Sequence, residues 1–188
     1  MMTYPNAAAG LKTVYQARLV GLISIVLVIV PIVQVLAVAA MLIAGFLALV
    51  GLAQCRKDDN GYCTAFNMVI AGLVTNLAAR LGSAYAGAEG FAGICGNILS
   101  IATDVLSLAS LYFVCITTNR LLKETAAAEN LIDRGIVVWR LNVVCTVILL
   151  VCYLLRMIPG NIAAIIAGYL AIFALIAQIV GNVLYILY

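Results

Sequence analysis

The stretch 19-LVGLISIVLVIVPIVQVLAVAAMLIAGFLALVGLA-53 runs for 35 residues without a charge. As one helix at about 1.5 Å per residue it would reach roughly 52 Å, against a hydrocarbon core of about 30 Å. It is therefore read as two spans, with Pro31 where the turn between them falls. The first can start upstream near Ala9, because Lys12 and Arg18 can lift their charged heads to the interface. The helices expected are 9–31 and 33–54. A single helix kinked at Pro31 would set Lys12 and Arg18 across the membrane from Arg56 and Lys57, whereas the positive-inside bias wants all four on one side.

Working outward, Thr64 to Leu81 makes a third span, and the glycine-rich stretch Gly82 to Gly96 marks its exit and the start of a fourth. Helix four runs to about Asn119, and the mixed-charge cluster Arg120 to Arg134 extends it into the cytoplasm. Span five covers about Gly135 to Met157, and a Pro159-Gly160 turn leads to span six, Ile162 to Tyr188. Composition agrees, because 66% hydrophobic and 9% charged residues, with a mean hydropathy of +1.22, leave too little polar surface for a soluble domain. The expected fold class is all-α: a polytopic integral membrane protein whose single transmembrane domain, 1–188, holds six transmembrane helices as three tandem helical hairpins, about 9–54, 64–119 and 135–188.

The basic residues orient this layout. Lys12, Arg18, Arg56, Lys57, Arg120, Lys123, Arg134 and Arg140 fall on one side, and only Arg80 and Arg156 on the other. That split places the chain in the cell membrane with both termini cytoplasmic. The net charge of +3 is then a topology signal, and no patch remains for nucleic acid. Arg80 and Arg156 are expected to reach toward headgroups, and Arg56-Lys57-Asp58-Asp59 to form a solvated turn. Lys12, Arg18, an apolar run and Ala37-Val38-Ala39 look like a secretory signal, but the segment is expected to be retained as helices one and two.

Odd-numbered helices begin alike. Gly10 precedes Tyr15-Gln16, Gly61 precedes Phe66-Asn67 and Gly135 precedes Trp139-Arg140, while Gly21-Leu22-Ile23-Ser24 and Gly72-Leu73-Val74-Thr75 both lie six residues after the aromatic. Three tandem hairpins explain this spacing; the common need for an interfacial aromatic beside a polar cap is the plainer explanation. Three hairpins with both termini on one side resemble the layout of mitochondrial carriers. Their P-x-[DE]-x-x-[KR] signature is absent, because Pro31 is followed by Ile32-Val33-Gln34 and Pro159 by Gly160-Asn161-Ile162. No carrier function and no residue role is carried over.

Helix four holds the anomalous residue. Asp104 falls near the bilayer midplane, where an ionised carboxylate facing lipid would cost on the order of 3 kcal/mol or more. Asn97, Ser100, Asp104 and Ser107, spaced 3, 4 and 3 apart, form one stripe expected to face the bundle interior. Asn76 on helix three, Asn142 on helix five, and Gln178 and Asn182 on helix six offer polar faces to meet it. These eight residues are the candidate ligand-binding set. No Lys or Arg lies at the depth of Asp104, so it either stays protonated, hydrogen-bonded to Asn or Ser, or meets a cation, a proton path or a polar substrate. Helix two instead carries Ala40, Ala44 and Ala48, a seam suited to close helix contact.

Six cysteines without CxxC spacing and the absence of His argue against a metal site, and no cofactor is expected. Cys115, Cys145 and Cys152 are read as apolar filler within spans, and Cys55 and Cys63 beside the first cytoplasmic loop as reduced thiols. Without His, paired acids or a nucleophile motif, an enzyme ranks last. A channel or transporter for an ion or small polar solute ranks first. A non-transporting scaffold or accessory subunit is the alternative. The lipid bilayer is the expected partner, with a second copy of the chain or another membrane subunit as further candidates.

Overall fold

The computed structural model describes residues 4–28, 34–86, 90–124 and 129–157, together with positions 165–166, 168–170, 172–173, 176–177, 179–181 and 183. The described residues are helical except for Tyr4 and a tight turn at 56–59, and no strand occurs among them. Five continuous helices run in chain order: α1 Pro5–Val28, α2 Gln34–Cys55, α3 Asn60–Ala86, α4 Gly90–Glu124 and α5 Glu129–Met157. The described positions from 165 to 183 are helical too, and Gly181 there packs against Leu141 and Asn142 of α5. The turns expected at Pro31 and Pro159-Gly160 fall outside the described residues, as do Glu89, Gln178 and Asn182.

Among the described residues, three helices are long and apolar enough to cross a membrane: α3 over Asn60–Ala79, α4 over Cys95–Glu124 and α5 over Ile132–Leu155. The apolar part of α2, Ala39–Cys55, is shorter. In α1 the polar residues Asn6, Lys12, Thr13, Gln16 and Arg18 all precede Leu19. The chain is therefore an all-helical protein with membrane-helix character.

Helix starts are set by local chemistry. Pro5 is the first residue of α1, where its missing N–H costs nothing and its fixed φ suits the helix. Asp58, far away in sequence, satisfies the next donors: its carboxylate accepts the Asn6 side-chain amide and the Ala7 backbone N–H, each at 2.7 Å. Its neighbour Asp59 caps α3, accepting the Gly61 N–H at 2.7 Å. This cap starts α3 at Asn60, four residues before the expected Thr64. Similarly, α5 starts at Glu129 ahead of the expected Gly135.

Pairing is antiparallel. A methyl group placed on Gly10 of α1 would meet the Gly51 carbonyl oxygen and the Cys55 sulfur of α2, each at 2.5 Å, and Gly21 faces Ala44 further along. In the second pair, Gly61 of α3 lies beneath Thr117 of α4, and Gly72 faces Leu106. The Ser110 hydroxyl also donates across this pair to the Ala65 carbonyl at 3.2 Å. Helix α5 runs back along α4, with the Tyr112 and Trp139 rings 4.9 Å apart. One core cluster, including Val14, Leu52, Tyr62 and Val114, joins all of the first four helices.

Two glycine substitutions on α2 test the close approach. Gly51→Ala drives a methyl group to 2.7 Å from the Gly10 carbonyl oxygen and 2.9 Å from the Val14 nitrogen, both backbone, whereas nothing lies within 4 Å of one on Gly45. Gly51→Ala is expected to lower stability by about 1–3 kcal/mol. Gly45→Ala should raise it by up to about 1 kcal/mol through helix propensity. Thermal unfolding in detergent reads both, and equal effects would remove the close-packed seam.

Candidate functional site

Asp104 sits in the central part of α4, on a half-buried face where α5 passes. The Tyr153 hydroxyl of α5 is a hydrogen-bonding neighbour of its carboxyl group. The second carboxyl oxygen, Oδ2, is closed off from solvent and has no hydrogen-bond partner among the described residues. A buried acceptor left this way costs about 1–3 kcal/mol. A carboxyl oxygen so placed can accept a proton or a cation.

The rest of the expected set is only partly gathered here. Asn97 and Ser100 are half-buried with Asp104, but Ser107 is exposed. The Ser100 hydroxyl is engaged by the Gly96 carbonyl of its own helix at 3.0 Å. On α5, Asn142 donates to the Val138 carbonyl at 2.9 Å and its own carbonyl takes the Thr146 hydroxyl at 2.9 Å. It lies eleven residues before Tyr153, roughly 16 Å along the helix. Asn76 is half-buried on α3. Gln178 and Asn182 lie outside the described residues. Tyr153 itself escapes sequence reading, because a tyrosine in the apolar run VCYLL counts as filler until the fold sets it opposite an acid.

A second polar cluster occupies the end where the start of α1, the α2–α3 turn and the end of α4 meet. It surrounds a cavity of about 770 Å³. Arg120 of α4 puts its Nη2 on both oxygens of Asp59, at 2.6 and 2.5 Å, and the Tyr4 hydroxyl donates to the Glu124 carboxylate. Below them the Tyr62 hydroxyl and Thr118 share a buried 2.9 Å hydrogen bond. Arg56-Lys57-Asp58-Asp59 is thus a more specific device than a solvated turn. Both acids cap helices, and the Arg56 guanidinium lies over the Phe66 ring at 5.2 Å. Asp59 ahead of Asn60-Gly61 is a recognisable cap in sequence; Asp58 serving a helix 50 residues earlier is not.

The Asn6 amide and the Ala7 N–H hold the Asp58 carboxyl below the usual carboxylate range, and the Glu124 carboxylate raises the Tyr4 hydroxyl above its ordinary value. All six cysteines are free thiols, and among the described residues no group of three or more His, Cys, Asp or Glu is placed to hold a metal. Comparison with protein families, with characterised proteins and with solved structures finds no match to this chain.

The lowered Asp58 value has a pH consequence. A carboxyl whose folded pKa lies below its unfolded value of about 3.9 contributes stability that is full above that value and is lost as pH falls through the folded pKa. Thermal midpoints of the native protein and Asp58→Asn, measured from pH 7 down to pH 2, should converge at the acid end. A gap that stays constant over that range would show that the Asp58 charge plays no part in holding α1.

Proposed function

We propose that this chain is a small multi-pass membrane channel or transporter for an ion or small polar solute, with its polar site at mid-span around Asp104. The observation that carries the reading is the buried Oδ2 of Asp104, which has no hydrogen-bond partner among the described residues, opposite Tyr153. Intramembrane acids are costly, and pathways for ions and protons are where they are usually found. A cation or proton is the species that oxygen suits best.

The proposed topology is six spans in three hairpins, in the cell membrane with both termini cytoplasmic. Its support is a shared register between the first two hairpins. Gly10 against Cys55 and Gly61 against Thr117 are matching contacts, as are Gly21 against Ala44 and Gly72 against Leu106. From the first pair to the second, α1 numbers rise by 51 (10 to 61, 21 to 72) and α2 numbers by 62 (55 to 117, 44 to 106). The Ser24 hydroxyl donates to the Gly21 carbonyl at 2.6 Å, and Thr75, 51 residues on, donates to Gly72 at 3.3 Å and to Ala71 at 2.5 Å. Where Val14 packs over Gly51 in the first pair, Ala65 and Phe113 hold the corresponding positions in the second, with large and small exchanged. Two copies of one hairpin account for all of these together.

A scaffold or accessory subunit is the second reading. It is favoured by the hydroxyls of Ser100, Thr103 and Thr146, which give their protons to carbonyls of their own helices and so have none left to donate to a ligand.

Two experiments test these readings. In vesicles carrying entrapped dyes for H⁺, Na⁺ or K⁺, the native chain should pass at least one of the three, and Asp104→Asn should abolish the flux with little change in thermal midpoint, since the amide keeps size and hydrogen-bonding capacity. No flux for any of the three, or flux unchanged in Asp104→Asn, would favour the scaffold. For topology, a cysteine at Asp59 in a cysteine-free background should resist an impermeant thiol reagent in intact cells and react after lysis. Labelling from outside would invert the orientation.

A further inference from the structure

We propose that the cavity at the end of α4 is a receptor for the headgroup of a zwitterionic phospholipid bearing a primary amine, the phosphoethanolamine class. The inference rests on the reading of α4 as a membrane span. Arg120 and Glu124 are four residues apart on α4, about 6 Å along the axis, a spacing at which an arginine and a glutamate ordinarily pair with each other. They do not form an ion pair. Arg120 is drawn to Asp59 and Glu124 to Tyr4, so that one positive and one negative group are held apart at the edge of the cavity.

Each group keeps capacity for a ligand. Arg120 uses Nη2 alone on Asp59, and its side chain is 58% exposed, which leaves Nη1 and Nε to face a phosphate in the paired geometry a guanidinium favours. Glu124 is exposed and engaged by Tyr4 at Oε2, which leaves Oε1 to accept from an ammonium. With Asp58, Asp59 and Glu124 against Arg120, carboxylates outnumber the guanidinium around the cavity, which disfavours a ligand that is anionic overall. A primary ammonium donates three hydrogen bonds and a quaternary one none, so carboxylates select the former.

The apolar part of the lining decides the source. Phe113 and Ile116 lie one to two turns nearer the middle of α4 than Arg120, and Ile116 is 48% exposed. A cavity charged at its outer end and apolar toward the bilayer fits a headgroup with its chains attached, not a free phosphomonoester.

The full-length chain, reconstituted in vesicles of equal phosphatidylethanolamine, phosphatidylcholine and phosphatidylglycerol and then extracted, should retain phosphatidylethanolamine in about tenfold excess over the other two by mass spectrometry. Glu124→Gln keeps an acceptor for Tyr4 and should bring retention down to the phosphatidylcholine level. Arg120→Gln should lower retention of both zwitterionic lipids. Unselective retention by the native chain, preference for phosphatidylglycerol, or an excess unchanged in Glu124→Gln would overturn the proposal. Asp104→Asn should keep the full excess, so failure of the ion site and failure of the lipid site are separate outcomes.

Discussion

How closely two backbones approach at a glycine governs most of this architecture. Lipid tails are as apolar as leucine, so helices in a bilayer gain little by hiding hydrophobic side chains from each other and must associate through packing contact. Gly10 lets the α1 backbone come down on Gly51 and Cys55, and Gly61 does the same for α3 beneath Thr117. These contacts bring the start of α1 and the end of α4 to the same short turn. Only then can Asp58 reach the Ala7 N–H and Asp59 reach Arg120. The charged clasp is a consequence of the apolar packing and adds little on its own, since the Arg120 side of its ion pair is 58% exposed.

Along the helices, polar side chains divide by what they can donate. Serine and threonine carry a proton, so each can return it to a carbonyl one turn back and ask nothing of a neighbour; Ser24, Thr75, Ser100, Thr103 and Thr146 all do this. An ionised carboxylate only accepts, and the carbonyls of its own helix only accept too. Asp104 therefore needs a donor from another element or a proton of its own. Tyr153 supplies one contact and leaves Oδ2 over. The same logic explains why Asp58 and Asp59 are at home at helix starts, where free N–H groups are plentiful.

Membrane-helix character was legible from uncharged length alone, and so were the positions of α2 to α5 to within several residues, because charge and glycine interrupt the apolar runs. Less was legible about sites. Spacing of 3 and 4 placed Ser107 beside Asp104, yet Ser107 is exposed; a stripe on one helix does not say how wide a neighbour will cover it. Asn142 and Asp104 both lie within apolar runs, but Asn142 turns its amide to the Val138 carbonyl of its own helix, and it is Tyr153 that reaches the acid. Register between helices depends on packing at many positions at once, which no single motif encodes. The polar cluster around Asp59 was hidden for a related reason: Tyr4, Asp59 and Glu124 are far apart in sequence and meet only after both helix pairs have formed.

The proposed register also bears on why the acid is where it is. Subtracting 62 from Asp104 leads to Leu42 of α2, which is 71% exposed, whereas Asp104 is half-buried. The face is open at Leu42 of α2 and covered by α5 at Asp104 of α4. A leucine is at no cost on a face turned to lipid, and an aspartate would be costly there. Cover from α5, with a tyrosine in reach, makes the acid tolerable on α4. That cover leaves one carboxyl oxygen without a partner among the described residues, although an asparagine or serine in its place would have served packing at lower cost. The channel or transporter reading proposed above accounts for a carboxyl kept at that cost.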